Sequence, residues 1–373
     1  MASWVRHLRG RRGFAVAAVV AAAALAGGLV SADRAVKLAS GPLTETRFHL
    51  LTKKAPPAPQ ALQARLDDLT AAYGEEVGVA VTDVSEGWTA GVDKDRPYPQ
   101  QSVSKLWVAL TVMKAVDQGR IDPASYVTLT DADRSVFFQP VAYNIGKDGF
   151  TTPISALLRR ALVESDNAAN DKLMREMGGP ESVATALQNM GLTGVKVGAY
   201  ERDLQARTAG MVWQADYGVG WNFQAAREKL PKAEREAAMA AYLAEPLDGS
   251  SPAGITAALS ALSRGELLSP ESTAQILTLM HECRTGPRRL KGGLPPGWSI
   301  AHKTGTGQDF EGAAVGINDV GLLTAPDGHT YAVAVMMRQT RKGVPARLEF
   351  MQAVTQAVAE QWAADHAGTR AAD

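Results

Sequence analysis

Apolar residues near the start of the chain's long central region follow a helical spacing and then form a short continuous run. Leu62, Leu66 and Leu69 recur every three or four positions within ALQARLDDLTAAYG, which predicts one apolar face of a helix. The next stretch, VGVAVTDV, is alternating and rich in β-branched valine, which predicts a strand. A helix followed by a strand is therefore expected to open the folded region.

Two strands and a helix are predicted near the other end of the chain. Residues 313–339 contain two apolar runs separated by APDGHT, in which Asp327-Gly328 is typical of a tight reversal. A closing helix is predicted because apolar residues share one face, namely Leu348, Met351, Val354, Val358 and Trp362. The middle of the chain, about residues 131–280, is mostly helical in pattern. This order predicts an α/β (α+β) fold, with a sheet built from both chain ends, flanking helices and an inserted helical subdomain.

The N-terminus carries arginines followed by an apolar run. Arg6, Arg9, Arg11 and Arg12 precede residues 14–30, and VSA ends at Ala32 with small residues of the kind that a signal peptidase cuts after. Two interpretations stay open: a cleaved export signal, for which RRGF also fits the twin-arginine type, and an uncleaved membrane anchor. In both, the rest of the chain lies outside the cytoplasm, in the periplasm or otherwise exported.

Domain boundaries follow from composition. Residues 33–59 are polar and end in KKAPPAP, whose prolines favour extended structure over a packed element. We therefore expect a signal or anchor at 1–32, a linker at 33–59, a folded domain at 60–364 and a tail at 365–373.

Charge and composition limit the partners. The 373 residues are 46% hydrophobic, and 39 Lys+Arg balance 39 Asp+Glu. This balance gives no basic face for nucleic acid, so a small-molecule partner is expected. Cys283 is the only cysteine in the sequence and cannot form an internal disulfide, and the histidines stand at no metal-ligand spacing. No metal or other cofactor is expected.

The stretch QQSVSKLWVAL places a hydroxyl and an amine one helical turn apart. Side chains three residues apart share a helical face, so Ser102 and Lys105 are within reach of each other. A serine becomes a good nucleophile only when a base takes its proton, and Lys105 can serve if burial or a second cation lowers its pKa. The spacing is common by chance and needs support from elsewhere in the chain.

Two later motifs give that support. Residues 165–167 are Ser-Asp-Asn in a helical region, and residues 303–305 are Lys-Thr-Gly on a short predicted strand. Taken singly, the first is also a good helix N-cap and the second an exposed strand and turn. Taken in order, S-x-x-K, S-D-N and K-T-G are the signature of class A β-lactamases and penicillin-binding proteins.

On these motifs the chain resembles a class A serine β-lactamase, within the penicillin-binding and serine β-lactamase-like superfamily, over about residues 60–364. Residues 177–191, 255–280 and 291–307 also resemble family segments in the same order. The resemblance implies an antiparallel sheet with helices on both faces, an all-helical lobe, and an active site between the lobes. It further implies a monomer that hydrolyses a β-lactam through a serine acyl-enzyme and gives antibiotic resistance.

The resemblance also implies roles for individual residues. Ser102 matches the nucleophile, and its backbone N–H with that of Thr306 would form the oxyanion hole. Ser165 would relay a proton to the departing ring nitrogen, beside Lys105 and Lys303. The implied substrate-binding residues are Asn167 for the amide side chain and, for the carboxylate region, Lys303, Thr304, Gly305, Thr306 and one of Arg288 and Arg289, of which Arg289 is favoured.

Hydrolysis needs a further group that activates water, which class A enzymes take from a glutamate on an Ω-shaped loop. Glu201 in GAYERDLQARTAG is the matching carboxylate. Two departures stand beside it. Gln205 replaces the usual asparagine with an amide one methylene longer, and Ala199 replaces an arginine whose ion pair would pin the loop. The alternative is that Glu201 is a solvated loop residue.

Residues 206–250 form an insert, roughly thirty residues beyond the family's usual connection, and long inserts in compact domains are usually functional or disordered. Its aromatic residues, Trp213, Tyr217, Trp221 and Phe223, argue against disorder, and a charged amphipathic helix follows them. A lid, a docking surface and extra packing all remain open.

Two functions other than β-lactam hydrolysis stay open. One is a D-Ala-D-Ala carboxypeptidase or transpeptidase of the penicillin-binding type, which penicillins would acylate and which would be freed from the acyl group only slowly. The other is an anchored, non-hydrolytic sensor of β-lactams or peptidoglycan.

Overall fold

A five-stranded antiparallel sheet is formed within residues 55–367, the part of the chain that the computed structural model describes. The strands of this part are β1 (Val77–Asp83), β2 (Thr89–Val92), β3 (Tyr98–Pro99), β4 (Tyr126–Leu129), β5 (Phe150–Pro153), β6 (Gly249–Ser250), β7 (Ser299–Gly305), β8 (Ala314–Thr324) and β9 (Thr330–Thr340). The sheet order is β2-β1-β9-β8-β7. Strands from both chain ends therefore pair directly, as the sequence predicts.

The helices of the same residues are α1 (Gln60–Tyr73), α2 (Ser104–Asp117), α3 (Ile154–Arg159), α4 (Asn167–Glu176), α5 (Pro180–Asn189), α6 (Glu201–Thr208), α7 (Asn222–Lys229), α8 (Lys232–Ala244), α9 (Pro252–Ser263), α10 (Pro270–His281) and α11 (Val344–Asp365). Within residues 55–367, none of them has the length and apolar character needed to cross a bilayer. The predicted signal or anchor, most of the predicted linker and the last six residues of the tail lie outside the described residues.

The β8–β9 hairpin turns at the predicted Asp-Gly pair. Thr324 lies opposite Thr330 at the end of the ladder, and Gly328 adopts a φ of 91°, which a residue without a side chain tolerates. Asp327 Oδ1 accepts a hydrogen bond from the backbone N–H of His329 at 3.0 Å. The predicted reversal is confirmed.

Helices α1 and α11 cover one face of the sheet. Leu66, Met351 and Val358 are fully buried and share a core with Val333 and Val335 of β9. Of the predicted apolar face of α11, all but the half-buried Leu348 is buried. Val333 and Val335 face these two helices because successive side chains of a strand point to opposite faces of the sheet.

The opposite face of the sheet packs against α9 and the helical lobe. Ala334 and Met336 of β9 share a core with Leu106, Leu110 and Met113 of α2. Because α2 runs through the interior, its polar residues are carried inward with its apolar ones, and the Lys105 side chain has an exposed fraction of 0%.

The middle of the chain is mostly helical but not entirely so. β4 and β5 form a short antiparallel pair in which Val127 lies opposite Thr152. Much of β4 is exposed, including Tyr126 and Thr128, so no clear apolar alternation marks it in the sequence.

The insert at 206–250 is folded and packs on neighbouring elements. Phe223 of α7 is buried with Val136 and Ala206, and Tyr242 of α8 is buried with Leu204 of α6. Trp221 remains 79% exposed. The insert therefore contributes two helices that contact the segment following Glu201.

Met351→Ala is expected to lower the free energy of unfolding by about 2–5 kcal/mol, since it removes a fully buried side chain from the core between α11 and the sheet. Chemical denaturation measures the change. Gln356→Ala, on the exposed side of the same helix, is the matched control and should change the free energy by less than about 0.5 kcal/mol. Equal effects of the two substitutions would contradict the assignment of the buried face.

Candidate active site

Ser102 and Lys105 lie together at the start of α2. Ser102 belongs to a 3-10 turn, Gln101–Val103, that leads directly into the helix, and Lys105 lies in the first helical turn. Lys105 Nζ donates a hydrogen bond to Ser102 Oγ at 2.7 Å. The hydroxyl and the amine thus share one face, as their spacing predicts.

Glu201 meets the same lysine from the other side. Lys105 Nζ donates to Glu201 Oε2 at 2.8 Å, and the glutamate side chain is buried, with 4% of the residue exposed. Burial alone would raise the pKa of Glu201, but the Lys105 charge and the hydrogen bonds from Lys105 and Gln205 outweigh it and hold the pKa below its usual value. Glu201 is therefore a buried carboxylate and not a solvated loop residue.

Ser165 and Lys303 form a second hydroxyl–amine pair. Ser165 follows a π-helical turn, Arg160–Glu164, and adopts a φ of 65°, which few non-glycine residues do. Lys303 Nζ donates to Ser165 Oγ at 2.9 Å. Burial, aided by the nearby Lys105 charge and opposed by Cys283, lowers the pKa of Lys303 to about 8. Lys303 is therefore poised to titrate a little above neutral pH.

Asp166 and Asn167 begin α4 and also bind the neighbouring loop. Asp166 Oδ1 accepts from the N–H of Ala169 at 2.9 Å, which is the helix-capping contact. Asn167 Nδ2 donates to the Val136 carbonyl at 2.7 Å, and its backbone N–H donates to the Phe138 carbonyl at 2.9 Å. The helix-cap interpretation of the Ser-Asp-Asn triplet is therefore confirmed, and Asn167 also ties the start of α4 to the loop at 136–138.

Arg289 lies along the end of the Lys-Thr-Gly strand. Its Nη1 donates to the Gly305 carbonyl at 2.8 Å and to the Asn318 carbonyl at 2.6 Å, while its Nη2 donates to Thr306 Oγ1 at 2.6 Å. Thr304 Oγ1 lies 2.5 Å from Thr285 Oγ1. Of the two candidate arginines, Arg289 is the one that lines the cleft.

These elements enclose a cleft of about 410 Å³. Its lining residues are Ser102, Phe137, Phe138, Glu164, Ser165, Asn167, Glu201, Gln205, Thr285, Gly286, Arg289, Thr304 and Thr306. Lys105 and Lys303 lie buried behind this surface. Three larger clefts in the described part of the chain, of about 890, 780 and 540 Å³, contain none of the candidate residues. The candidate residues are therefore concentrated in the smallest of these clefts.

Asp171 is a residue of the site that the motifs did not reveal. Its Oδ1 accepts from the backbone N–H of Glu201 at 2.7 Å, and its Oδ2 accepts from the Ser135 hydroxyl at 2.8 Å and from the N–H of Arg202 at 3.2 Å. It thus caps α6 and pins the Glu201 segment, where Ala199 supplies no charge. Its position one helical turn after Asn167 was the available signal, because such residues share a face.

Gln205 still reaches the carboxylate despite its longer side chain. Its Nε2 donates to Glu201 Oε1 at 2.9 Å and to Gln101 Oε1 at 2.8 Å. Gln101 was also missed, although it directly precedes Ser102. The altered amide therefore lies within one connected polar cluster with Glu201.

Sequence comparisons place the chain in a known family. The sequence model of the β-lactamase enzyme family matches residues 61–362. The extended-spectrum β-lactamase PER-1 of Pseudomonas aeruginosa is 29% identical over 280 residues, which cover 75% of this chain and 80% of that protein. β-Lactamase VEB-1 of the same organism is 27% identical over 282 residues, covering 75% and 83%.

Solved structures show the same fold. The extended-spectrum β-lactamase TLA-3 superposes with a TM-score of 0.66 at 22% identity, covering 80% of this chain and 98% of that one. A variant of the last common ancestor of the class A β-lactamases of Gram-negative bacteria gives 0.65 at 26% identity, covering 82% and 100%. Because the family match at residues 61–362 spans most of the sequence, the chain belongs to the β-lactamase enzyme family.

Proposed function

We propose that this protein is a serine β-lactamase that hydrolyses β-lactam antibiotics through an acyl-enzyme on Ser102 and thereby gives resistance to them. The observation that carries the proposal is the position of Lys105 Nζ, 2.7 Å from Ser102 Oγ and 2.8 Å from Glu201 Oε2. One buried ammonium connects the nucleophile needed for acylation with the carboxylate needed for deacylation.

Acylation starts when Ser102 Oγ attacks the β-lactam carbonyl carbon and its proton passes to the Lys105–Glu201 pair. The ring C–N bond then breaks, and the ring nitrogen takes a proton from Ser165 Oγ. The Lys105–Glu201 pair returns to Ser165 the proton that it took from Ser102, so Ser165 acts as a relay and Glu201 is again a carboxylate. Lys303, 2.9 Å from that oxygen, orients the Ser165 hydroxyl and stabilises negative charge on it.

The remaining cleft residues bind the substrate. The N–H groups of Ser102 and Thr306 stabilise the negative charge that develops on the carbonyl oxygen. The Lys303 ammonium and the Thr304 hydroxyl bind the substrate carboxylate, and Arg289 adds positive charge beside the Gly305 carbonyl. The second N–H of the Asn167 amide holds the substrate's amide side chain.

Deacylation depends on Glu201. Its lowered pKa keeps it ionised at neutral pH, so it can take a proton from a water that attacks the Ser102 ester. Lys105 and Gln205 each donate to one of its oxygens and fix the carboxylate in place. A penicillin-binding peptidase or a sensor would not need a buried, oriented carboxylate at this position, which favours the hydrolase.

We further propose that the protein works as an exported monomer, in the periplasm or outside the cell. The N-terminal residues 1–32 would serve as a cleaved signal or as an anchor, and residues 33–59 as a linker to the catalytic domain at 60–364. The support is the arginine-rich, then apolar pattern of the first 32 residues.

With excess benzylpenicillin or a chromogenic cephalosporin, the protein is expected to complete many turnovers and to retain little adduct, because water can be activated against the acyl-enzyme. Absorbance and intact mass over time measure both quantities. Ser102→Ala is the control and should abolish turnover and adduct alike. A stable adduct with negligible turnover would favour the peptidase or the sensor, and the absence of both would rule out the serine mechanism.

Glu201→Gln is expected to slow deacylation by about 10²–10⁴-fold, the usual contribution of a general base, while Ser102 can still be acylated. The acyl-enzyme should then accumulate and be visible by intact mass. Glu234→Gln, on the exposed side of α8, removes a carboxylate outside the cleft and should leave turnover unchanged. If Glu201→Gln turns over as fast as the unmodified protein, Glu201 is not the base.

The kcat/KM of a carboxylate-bearing β-lactam is expected to fall as the pH rises through about 8, because Lys303 loses its charge there in the free enzyme. Below that pH the ammonium is present and this contribution is constant. A pH profile measures the effect. The methyl ester of the same β-lactam has no carboxylate to bind, so it should keep only the smaller part of this limb that comes from the contact between Lys303 and Ser165. Identical profiles for acid and ester would contradict the carboxylate-binding role.

A further inference from the structure

The insert places a tyrosine hydroxyl at one end of a buried hydrogen-bond chain. Tyr242, on α8, donates from its hydroxyl to Asp248 Oδ1 at 2.9 Å and accepts from Gln101 Nε2 at 2.6 Å. Burial raises the pKa of Tyr242 well above its ordinary value, so the hydroxyl keeps its proton. The insert is thereby connected to the residue that precedes Ser102.

The path of hydrogen bonds continues from Gln101 to the Glu201 carboxylate. Gln101 Oε1 accepts from Gln205 Nε2 at 2.8 Å, and the same Nε2 donates its other hydrogen to Glu201 Oε1 at 2.9 Å. Gln308 Nε2 donates to Gln205 Oε1 at 2.9 Å from the opposite side. Every member of the path from Tyr242 to Glu201 is buried.

The Asp248 carboxylate, at one end of this hydrogen-bonded path, fixes the direction of every hydrogen bond along it. Burial raises the pKa of Asp248 to about 6, so at pH 7 and above it is a carboxylate that can only accept. Tyr242 must then donate to Asp248, which leaves its oxygen to accept from the Gln101 amide nitrogen. The Gln101 carbonyl is consequently turned to Gln205, whose NH₂ group is turned to Glu201.

Reversal of the Gln205 amide would place its carbonyl oxygen against the Glu201 carboxylate. Two acceptors would then face each other in a buried site, and one oxygen of Glu201 would lose its donor. The orientation of this amide, which cannot be read from its shape, therefore decides whether the base is held in place.

Asp248 also holds the turn that presents Ser102. Its Oδ2 accepts from the backbone N–H of Gln101 at 2.6 Å, and Gln101 adopts a φ of 53°. A non-glycine residue in this region is strained and persists only where its surroundings fix it. The Asp248 carboxylate thus contacts both the turn that precedes Ser102 and the hydrogen-bonded path that leads to Glu201.

We propose that Tyr242 and Asp248 are positioning residues for deacylation, which orient the Gln205 amide so that its NH₂ group holds Glu201. This inference rests on the proposed β-lactamase function and gives the insert a role: it supplies the hydroxyl that links Asp248 to Gln101. Neither residue touches substrate, and both act through Gln101 and Gln205.

Tyr242→Phe should slow deacylation by about three- to tenfold, the value of one lost hydrogen bond, and change acylation by less than about twofold. Stopped-flow kinetics with a chromogenic cephalosporin separates the two steps. Tyr217→Phe removes a hydroxyl from the same insert, on a ring that packs edge-on against Phe223, and should change neither step.

Asp248→Asn is the sharper variant, because it keeps the shape and changes the direction of donation. The amide oxygen of the asparagine would take over the hydrogen bond from the N–H of Gln101. Its NH₂ group would then face Tyr242 and favour the opposite direction of every hydrogen bond along the path. We expect a larger loss in deacylation than for Tyr242→Phe. Combining Tyr242→Phe with Gln205→Ala should give less than the product of the two single effects, since both act on one path.

The outcomes separate this inference from the function on which it rests. If the unmodified protein shows no turnover, the proposed function fails. If it turns over and Glu201→Gln traps the acyl-enzyme, but Tyr242→Phe leaves deacylation unchanged or slows both steps equally, the positioning role alone is overturned. A selective loss in deacylation with an unchanged thermal midpoint supports it.

Discussion

The Lys105 ammonium is completely removed from water and is compensated by the Glu201 carboxylate 2.8 Å away. Burying two ions has a penalty of several kcal/mol each, so such a pair persists only where further hydrogen bonds satisfy its other atoms. Ser102 supplies one of these bonds and Gln205 another. Helix α2 must therefore dock against α6 for either charge to be compensated, so the two helices share one electrostatic requirement.

The same requirement explains why the Glu201 segment is so heavily bonded. Asp171 holds the backbone at the start of α6. Gln205, Gln101 and Gln308 form a hydrogen-bonded group beside the Glu201 side chain. The arginine that commonly pins this loop is Ala199 here. A set of directional hydrogen bonds, most of them neutral, takes the place of an ion pair, and such bonds fix orientation more than they add Coulomb energy.

Much of the site could be predicted because its motifs are local. The spacing of Ser102 and Lys105 fixes their shared face, and the Lys-Thr-Gly strand was readable from its own residues. The fold followed in the same way from the apolar faces of α1 and α11 and from the β8–β9 turn. Each of these depends on neighbours within one helix or one hairpin.

The residues that were missed act across long separations. Gln101 and Asp248 are 147 positions apart, and no local pattern relates them. Tyr242 is one apolar position among several on α8 until its hydroxyl is seen to meet Gln101. The direction of an amide also leaves no trace in a sequence, because glutamine is both donor and acceptor. Tertiary packing alone decides these contacts.

The central position of β9 in the sheet has a consequence for how the chain matures. All of β1 pairs with β9, with Val79 opposite Val335, so the middle strand is the last of this sheet's five strands to be synthesised. Closing so long a loop is entropically slow, and until then one edge of β1 and one edge of β8 remain unpaired templates for other chains. A polypeptide arrested before residue 330 would carry the nucleophile, both lysines and Glu201, yet its two half-sheets would have nothing between them. Those two edges are therefore open to pairing with other chains until β9 has been synthesised and has paired with both.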